Sequence, residues 1–180
     1  SSNENPYGPS QRVQDRIKNS FAHACRYPYA YSDDLAVQLA KKHGVSPESI
    51  IVTGGSTEGL KITGVTFAAD GGEIISGQPT FLAMMDYAKQ WGATVKWVPV
   101  GEDKGYDLDA IEKQISSKTK LVFLCNPNNP TGTLVPAQKL VDFCEVASKK
   151  TIVLSDEAYY DFIETPNYPS MIEAVKRGDN

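Results

Sequence analysis

KLVFLCNPNNPTG, residues Lys120 to Gly132, joins an apolar run of strand length to a stretch that cannot be helix. Proline has no backbone donor and fixes its own φ. It also pushes the residue before it out of the helical region. Asn126-Pro127 and Asn129-Pro130 therefore make a stiff, non-helical segment at the carboxyl end of a strand. Alone, such a segment reads as a polar turn, and its neighbours decide whether it is more.

On both sides, short apolar runs alternate with helical patterns. Residues 49–53, 72–76, 94–98, 120–124 and 151–155 read as strands, and 58–69, 80–91, 107–116 and 136–149 as helices. Upstream, a short helix is expected within 11–24 and an amphipathic one over 34–43 that stops at Gly44. A last helix is expected near 170–176. Strands alternating with helices imply βαβ units. The fold class is therefore α/β, a three-layer αβα sandwich with a mostly parallel sheet. In such sheets ligands bind at the carboxyl ends of the strands.

Composition narrows the function. The chain has 180 residues, enough for one domain or one and a small part. With 41% apolar and 22% charged residues it supports a core, and a net charge of −4 argues against nucleic acid as a partner. Cys25, Cys125 and Cys144 are an odd set without CxxC, which points to reduced thiols and a cytoplasmic location rather than a disulfide framework. His23 and His43 are too scattered for a metal site. No run approaches the roughly 20 apolar residues of a membrane span, and no signal peptide is visible. The sequence starts at Ser1 without methionine, which leaves room for a targeting segment upstream.

Four of the five strand ends then offer a chemical group. After 49–53 comes Gly54-Gly-Ser-Thr-Glu-Gly59, which reads either as a phosphate cup of backbone amides or as a helix start capped by Ser56 or Thr57. It is neither GxxxxGK[ST] nor GxGxxG. After 72–76 comes Gly77-Gln-Pro-Thr-Phe81, whose Phe81 is either a stacking platform for a flat ring or one more core aromatic. After 151–155 comes Asp156-Glu-Ala-Tyr159. Asp156 reads either as a helix N-cap or surface acid, or as a carboxylate ending an apolar strand, which needs a partner; on the second reading a cation beside it is expected, with the Tyr159 hydroxyl near the same spot. With the asparagine amides that follow 120–124, four strand ends offer a phosphate cup, an aromatic, an amide and a buried carboxylate with a tyrosine, and a phosphorylated, aromatic, cationic pyridine with a phenolic oxygen satisfies all four. That ligand is pyridoxal 5′-phosphate (PLP).

These stretches resemble fold-type I PLP-dependent aminotransferases of class I/II, most nearly the histidinol-phosphate aminotransferase branch. The resemblance rests on Asn3-Glu-Asn-Pro-Tyr-Gly-Pro9, Arg26-Tyr-Pro28, Gly54–Gly59, Pro79-Thr-Phe81, Asn126-Pro-Asn-Asn-Pro-Thr-Gly132 and Asp156–Tyr159, which span most of the chain in family order. It implies that Gly55, Ser56 and Thr57 hold the cofactor phosphate and that Phe81 stacks on its ring. Asn129 and Tyr159 would donate to its phenolic oxygen, and Asp156 would pair with its ring nitrogen. Tyr27 would reach the phosphate in a neighbouring subunit, which implies a homodimer. Tyr7 would close over the substrate.

The resemblance also implies a Schiff-base lysine on a Ser-x-x-Lys or Ser-Lys motif after one further strand, then an arginine. Neither is present, and Lys61, Lys89 and Lys139 fall in helical contexts. The chain is thus expected to be an N-terminal half: an arm or small-domain segment over 1–30, and over 31–180 a PLP-binding large domain ending before that lysine. In isolation it is expected to lack activity and to expose apolar surface. The implied reaction of the complete enzyme is transamination from L-histidinol phosphate to 2-oxoglutarate, an amino donor and a 2-oxo acid, in histidine biosynthesis. Alternatives are an aromatic aminotransferase, a threonine-phosphate decarboxylase, or a non-catalytic module that keeps the cofactor fold.

Overall fold

The computed structural model describes residues 3–179. Two helices come first, α1 (Gln11–Ser20) and α2 (Tyr29–His43). There follow α3 (Ser56–Ala68), β1 (Glu73–Gln78), α4 (Ala83–Lys89), β2 (Thr94–Pro99), α5 (Leu108–Gln114), β3 (Thr119–Cys125), α6 (Ala137–Ala147), β4 (Ile152–Asp156) and α7 (Ile172–Arg177). The four strands form one parallel sheet in the order β2-β1-β3-β4. The expected three-layer α/β architecture is what forms.

The continuous apolar run of β3 follows from its place in the middle of this sheet, covered on both sides. Side chains alternate between faces along a strand. Leu121, Phe123 and Cys125 join Ile74, Leu60, Met84, Met85 and Ala88 in one core layer, under α3 and α4. Val122 and Leu124 join Ile75, Ile111, Leu140 and Phe143 in the other, under α5 and α6. On the first face the helices approach closely at Gly64, where an added Cβ would lie 2.8 Å from Met84 Cγ. Asp107 caps α5 by accepting the Ala110 N–H at 2.9 Å.

Three expected elements differ. Residues 49–53 form no strand: Ile51 is 80% exposed, and no described strand lies beside the segment. Apolar alternation supplies a strand's side chains, but a ladder also needs a neighbour for its backbone groups. The helix expected over 80–91 starts only at Ala83, because Thr80 is drawn into a buried side-chain network. α2 begins at Tyr29 rather than near residue 34, directly after Pro28, and ends at Gly44 with φ +68°, as expected of a left-handed glycine stop. The segment before α3 contributes little to the core. Ala40 is its only buried residue among those described, and Val13, Ile17 and Phe21 of α1 and its extension are exposed. No helix among the described residues is long and apolar enough to cross a membrane.

The strand order places the site. The chain runs from β1 out to β2, then returns to β3 on the other side of β1. Connections therefore diverge between β1 and β3, and the crevice beyond their carboxyl ends is where such a sheet binds ligands.

Candidate active site

At that crevice the loop after β1 meets the loop after β3. The Gln78–Pro79, Asn126–Pro127 and Asn129–Pro130 peptides are cis. Asn126 is buried and braces the start of its loop. It donates to the Tyr168 hydroxyl at 2.8 Å and accepts the Val135 N–H at 2.9 Å. Tyr168 in turn donates to the Val135 carbonyl at 2.6 Å. Asn128, also buried, donates to the Pro79 carbonyl at 3.1 Å and to Thr131 Oγ1 at 2.8 Å. Its Oδ1 lies 2.7 Å from the Tyr106 hydroxyl and 2.9 Å from Thr80 Oγ1. The two loops are thus tied side chain to side chain. Asn129, next along, is half-buried, and its side-chain amide makes no hydrogen bond among the described residues.

Asp156 closes β4 opposite Cys125 and is 8% exposed. Its carboxylate accepts the Ala158 N–H at 3.1 Å and a hydrogen bond from the Cys125 thiol. The cation expected beside it is absent: no described ion pair includes Asp156. Burial raises its pKa above the ordinary carboxylate value, against the lowering pull of those two donors. A buried carboxylate with donors but no countercharge is suited to a cationic hydrogen-bond donor supplied from outside the chain. Burial also pushes the Cys125 thiol up to about 12, so it is neutral at pH 7 and no nucleophile.

Asn129 and Tyr159 line one hollow of about 470 Å³, together with Asn3, Pro130 and Phe162. The Tyr159 hydroxyl accepts from Asn3 Nδ2 at 3.0 Å, which lays the N-terminal segment over this hollow. Asp156 does not line it. It is the register partner of Cys125, whose sulfur also receives a backbone hydrogen bond from Asn129.

The remaining expected residues are not gathered into that hollow. Gly55, with φ +94°, is the N-cap of α3, and neither Ser56 nor Thr57 caps it. The alternative of a Ser or Thr cap is therefore corrected, and no side-chain cap hydrogen bond to the first amides of α3 forms among the described residues. Thr57 lines a separate groove with Gly54, Lys61, Tyr87 and Trp91. Glu58 accepts the Gly54 N–H and folds that turn back on itself. Phe81 is half-buried and packs on the α3–α4 core layer, with part of its surface still free. Tyr27 stacks on Tyr29 at 5.7 Å, and both Tyr27 and Tyr7 are exposed. Lys61, Lys89 and Lys139 lie on α3, α4 and α6.

Thr80, Tyr106 and Asn128 were not singled out from the sequence. The one signal available was Gly77: a Cβ there would lie 2.2 Å from Tyr106 Cδ1, so β1 leaves its side open for the tyrosine ring.

Comparison with known proteins identifies the family. The family model "Aminotransferase class I and II" matches residues 1–180. Histidinol-phosphate aminotransferase 1 of Bacillus cereus is 36% identical over 179 residues, which are 99% of this chain and 48% of that protein. The histidinol-phosphate aminotransferase of Bacillus velezensis is also 36% identical, with 50% of its length covered. The chain thus spans about half the length of these relatives. Among solved structures, a protein of Erwinia carotovora atroseptica provisionally described as a histidinol-phosphate aminotransferase superposes with a TM-score of 0.91 at 28% identity, over 99% of this chain and 52% of that one. The Sinorhizobium meliloti histidinol-phosphate aminotransferase in complex with pyridoxal 5′-phosphate gives 0.82 at 25% identity, over 89% and 44%.

Proposed function

Because this chain belongs to the class I and II aminotransferase family, we propose that it is the cofactor-holding part of a PLP-dependent enzyme that moves an amino group from L-histidinol phosphate to 2-oxoglutarate. The observation that carries the reading is Asp156, a buried carboxylate without a cation at the carboxyl end of β4. The donor set fits PLP: an acid for the ring nitrogen, the unengaged Asn129 amide and the Tyr159 hydroxyl for the phenolic oxygen, and the uncapped amides at Ser56 and Thr57 for the phosphate. When bound, the cofactor's protonated pyridine withdraws the electron pair left by loss of the substrate's Cα proton.

Asp156 keeps a proton on the ring nitrogen through a charge-assisted hydrogen bond, about twice as strong as a neutral one. Asn129 and Tyr159 hold the phenolic oxygen and so fix the ring's rotation within its plane. Gly55 leaves space for the phosphate to approach the backbone, and the partial positive charge at the start of α3 favours that anion. Phe81 covers one face of the ring and keeps water from it. Tyr7 closes over the substrate, and Tyr27, exposed here, reaches the phosphate in a second copy, so the working form is a cytoplasmic homodimer. The lysine that bonds the cofactor is none of Lys61, Lys89 or Lys139, whose helices place them in other contexts.

A substrate panel on the full-length protein tests the proposal. Loaded with PLP and 2-oxoglutarate, it should turn over L-histidinol phosphate at least about tenfold better, by kcat/KM, than L-phenylalanine. Preference for the aromatic amino acid, or release of carbon dioxide from O-phospho-L-threonine, would replace it with one of the other readings.

A further inference from the structure

Resting on that reading, we propose that Tyr106, Thr80 and Asn128 form a positioning network whose role is to hold the Asn129 amide toward the cofactor's phenolic oxygen. Tyr106 comes from the loop after β2, Thr80 from the loop after β1, and Asn128 from the loop after β3. Their oxygens close a triangle. Thr80 Oγ1 lies 2.7 Å from the Tyr106 hydroxyl and 2.9 Å from Asn128 Oδ1, and Tyr106 lies 2.7 Å from Asn128 Oδ1. Two hydroxyl protons fill two of these three contacts at a time, with the Asn128 carbonyl always accepting, and the third is a close approach of two oxygens.

The Asn128 amide cannot turn over. Its NH₂ faces the Pro79 carbonyl, which only accepts, and also Thr131 Oγ1. The chain continues from Thr131 to Thr133 Oγ1 at 2.7 Å and from there to the Lys104 carbonyl at 3.1 Å. Tyr106 also accepts the Cys125 N–H at 3.2 Å, which anchors the circuit to the last residue of β3. Asn129 is therefore flanked on its amino side by a residue whose every side-chain hydrogen-bonding group is engaged, while its own amide makes no such bond. Asn128 therefore has one orientation, held by the Pro79 carbonyl on its NH₂ and by the two hydroxyls at its Oδ1, and that orientation sets the direction of the next side chain. Burial keeps the Tyr106 hydroxyl protonated, its pKa pushed up to about 12.

A double-mutant cycle on the full-length protein tests the network. The readout is the Kd for pyridoxine 5′-phosphate, which has the ring, phenolic oxygen and phosphate of the cofactor but lacks the aldehyde that bonds to lysine. Tyr106→Phe and Asn129→Ala should each weaken binding about tenfold, and the double variant should be no weaker than either. Thr80→Val should behave like Tyr106→Phe, with Thr80→Ser restoring affinity. A Tyr106→Phe variant that loses thermal stability but keeps its Kd overturns the network. So does a double variant about a hundredfold weaker. If the unmodified protein does not bind pyridoxine 5′-phosphate, the proposed function falls, and the network's role falls with it.

Discussion

Asp156→Asn lowers amino transfer by the full-length protein by roughly 10²- to 10³-fold, the usual effect of removing one preorganised charge from a reacting centre, and it makes the cofactor-free protein more stable at neutral pH. The two effects share one cause. The carboxylate is held in a site that disfavours its charge, with the Ala158 N–H and the Cys125 thiol as its partners and no cation. Its folded pKa lies above the ordinary value of 3.8. Below that ordinary value both folded and unfolded chains carry the proton, and nothing is lost. As pH rises toward the folded pKa, the unfolded chain gives up its proton first and folding costs more. Above the folded pKa the cost is constant. The neutral amide escapes this. Asp156→Asn should be more stable than the unmodified protein at pH 8 and show no gain near pH 3, below the ordinary value of 3.8. Thermal melts of the cofactor-free protein at the two pH values check this, beside kcat/KM for the loaded one. A variant with normal turnover would remove Asp156 from the mechanism. A variant less stable at pH 8 would mean that the carboxylate is well compensated after all.

Phe123→Ala should cost about 3–5 kcal/mol, a large part of the 5–15 kcal/mol typical of a whole domain. Phe123 sits at the centre of β3 with no exposed surface, between Leu121 and Cys125 on the face covered by α3 and α4. Its carbonyl accepts the buried Ser76 hydroxyl at 2.8 Å, so backbone collapse into the cavity would also strain β1. The control is Val146→Ala on the outer surface of α6, which is 38% exposed and should cost about 1 kcal/mol or less. Urea unfolding of the two variants separates them. A loss below about 1 kcal/mol at Phe123 would mean that the α3–α4 layer is not closed over the sheet.

The sheet was legible because burial on both faces leaves a plain signature. The runs ending at Ser76, Val98, Leu124 and Ser155 are short, apolar and separated by helical patterns, and all four became strands. The same signature misled at 49–53, since apolar residues alone do not provide a hydrogen-bonding neighbour. At the site, the residue types at the strand ends were legible, and Asp156 was recognised through the cost of burying its charge. The cation inferred from that cost is not found among the described residues. Thr80, Tyr106 and Asn128 were not legible, because their triangle exists only once three loops, distant in sequence, converge. The two asparagines carry the same side chain, and only Asn129 precedes a proline. Tertiary packing fully engages the first and leaves the second free.

The central claim is that Asp156 faces the ring nitrogen of PLP and keeps it protonated. The direct measurement is the ¹⁵N chemical shift of ring-labelled PLP bound to the full-length protein and to its Asp156→Asn variant. A pyridinium signal in the first that moves to the unprotonated range in the second is the expected result. The same shift in both would contradict the claim.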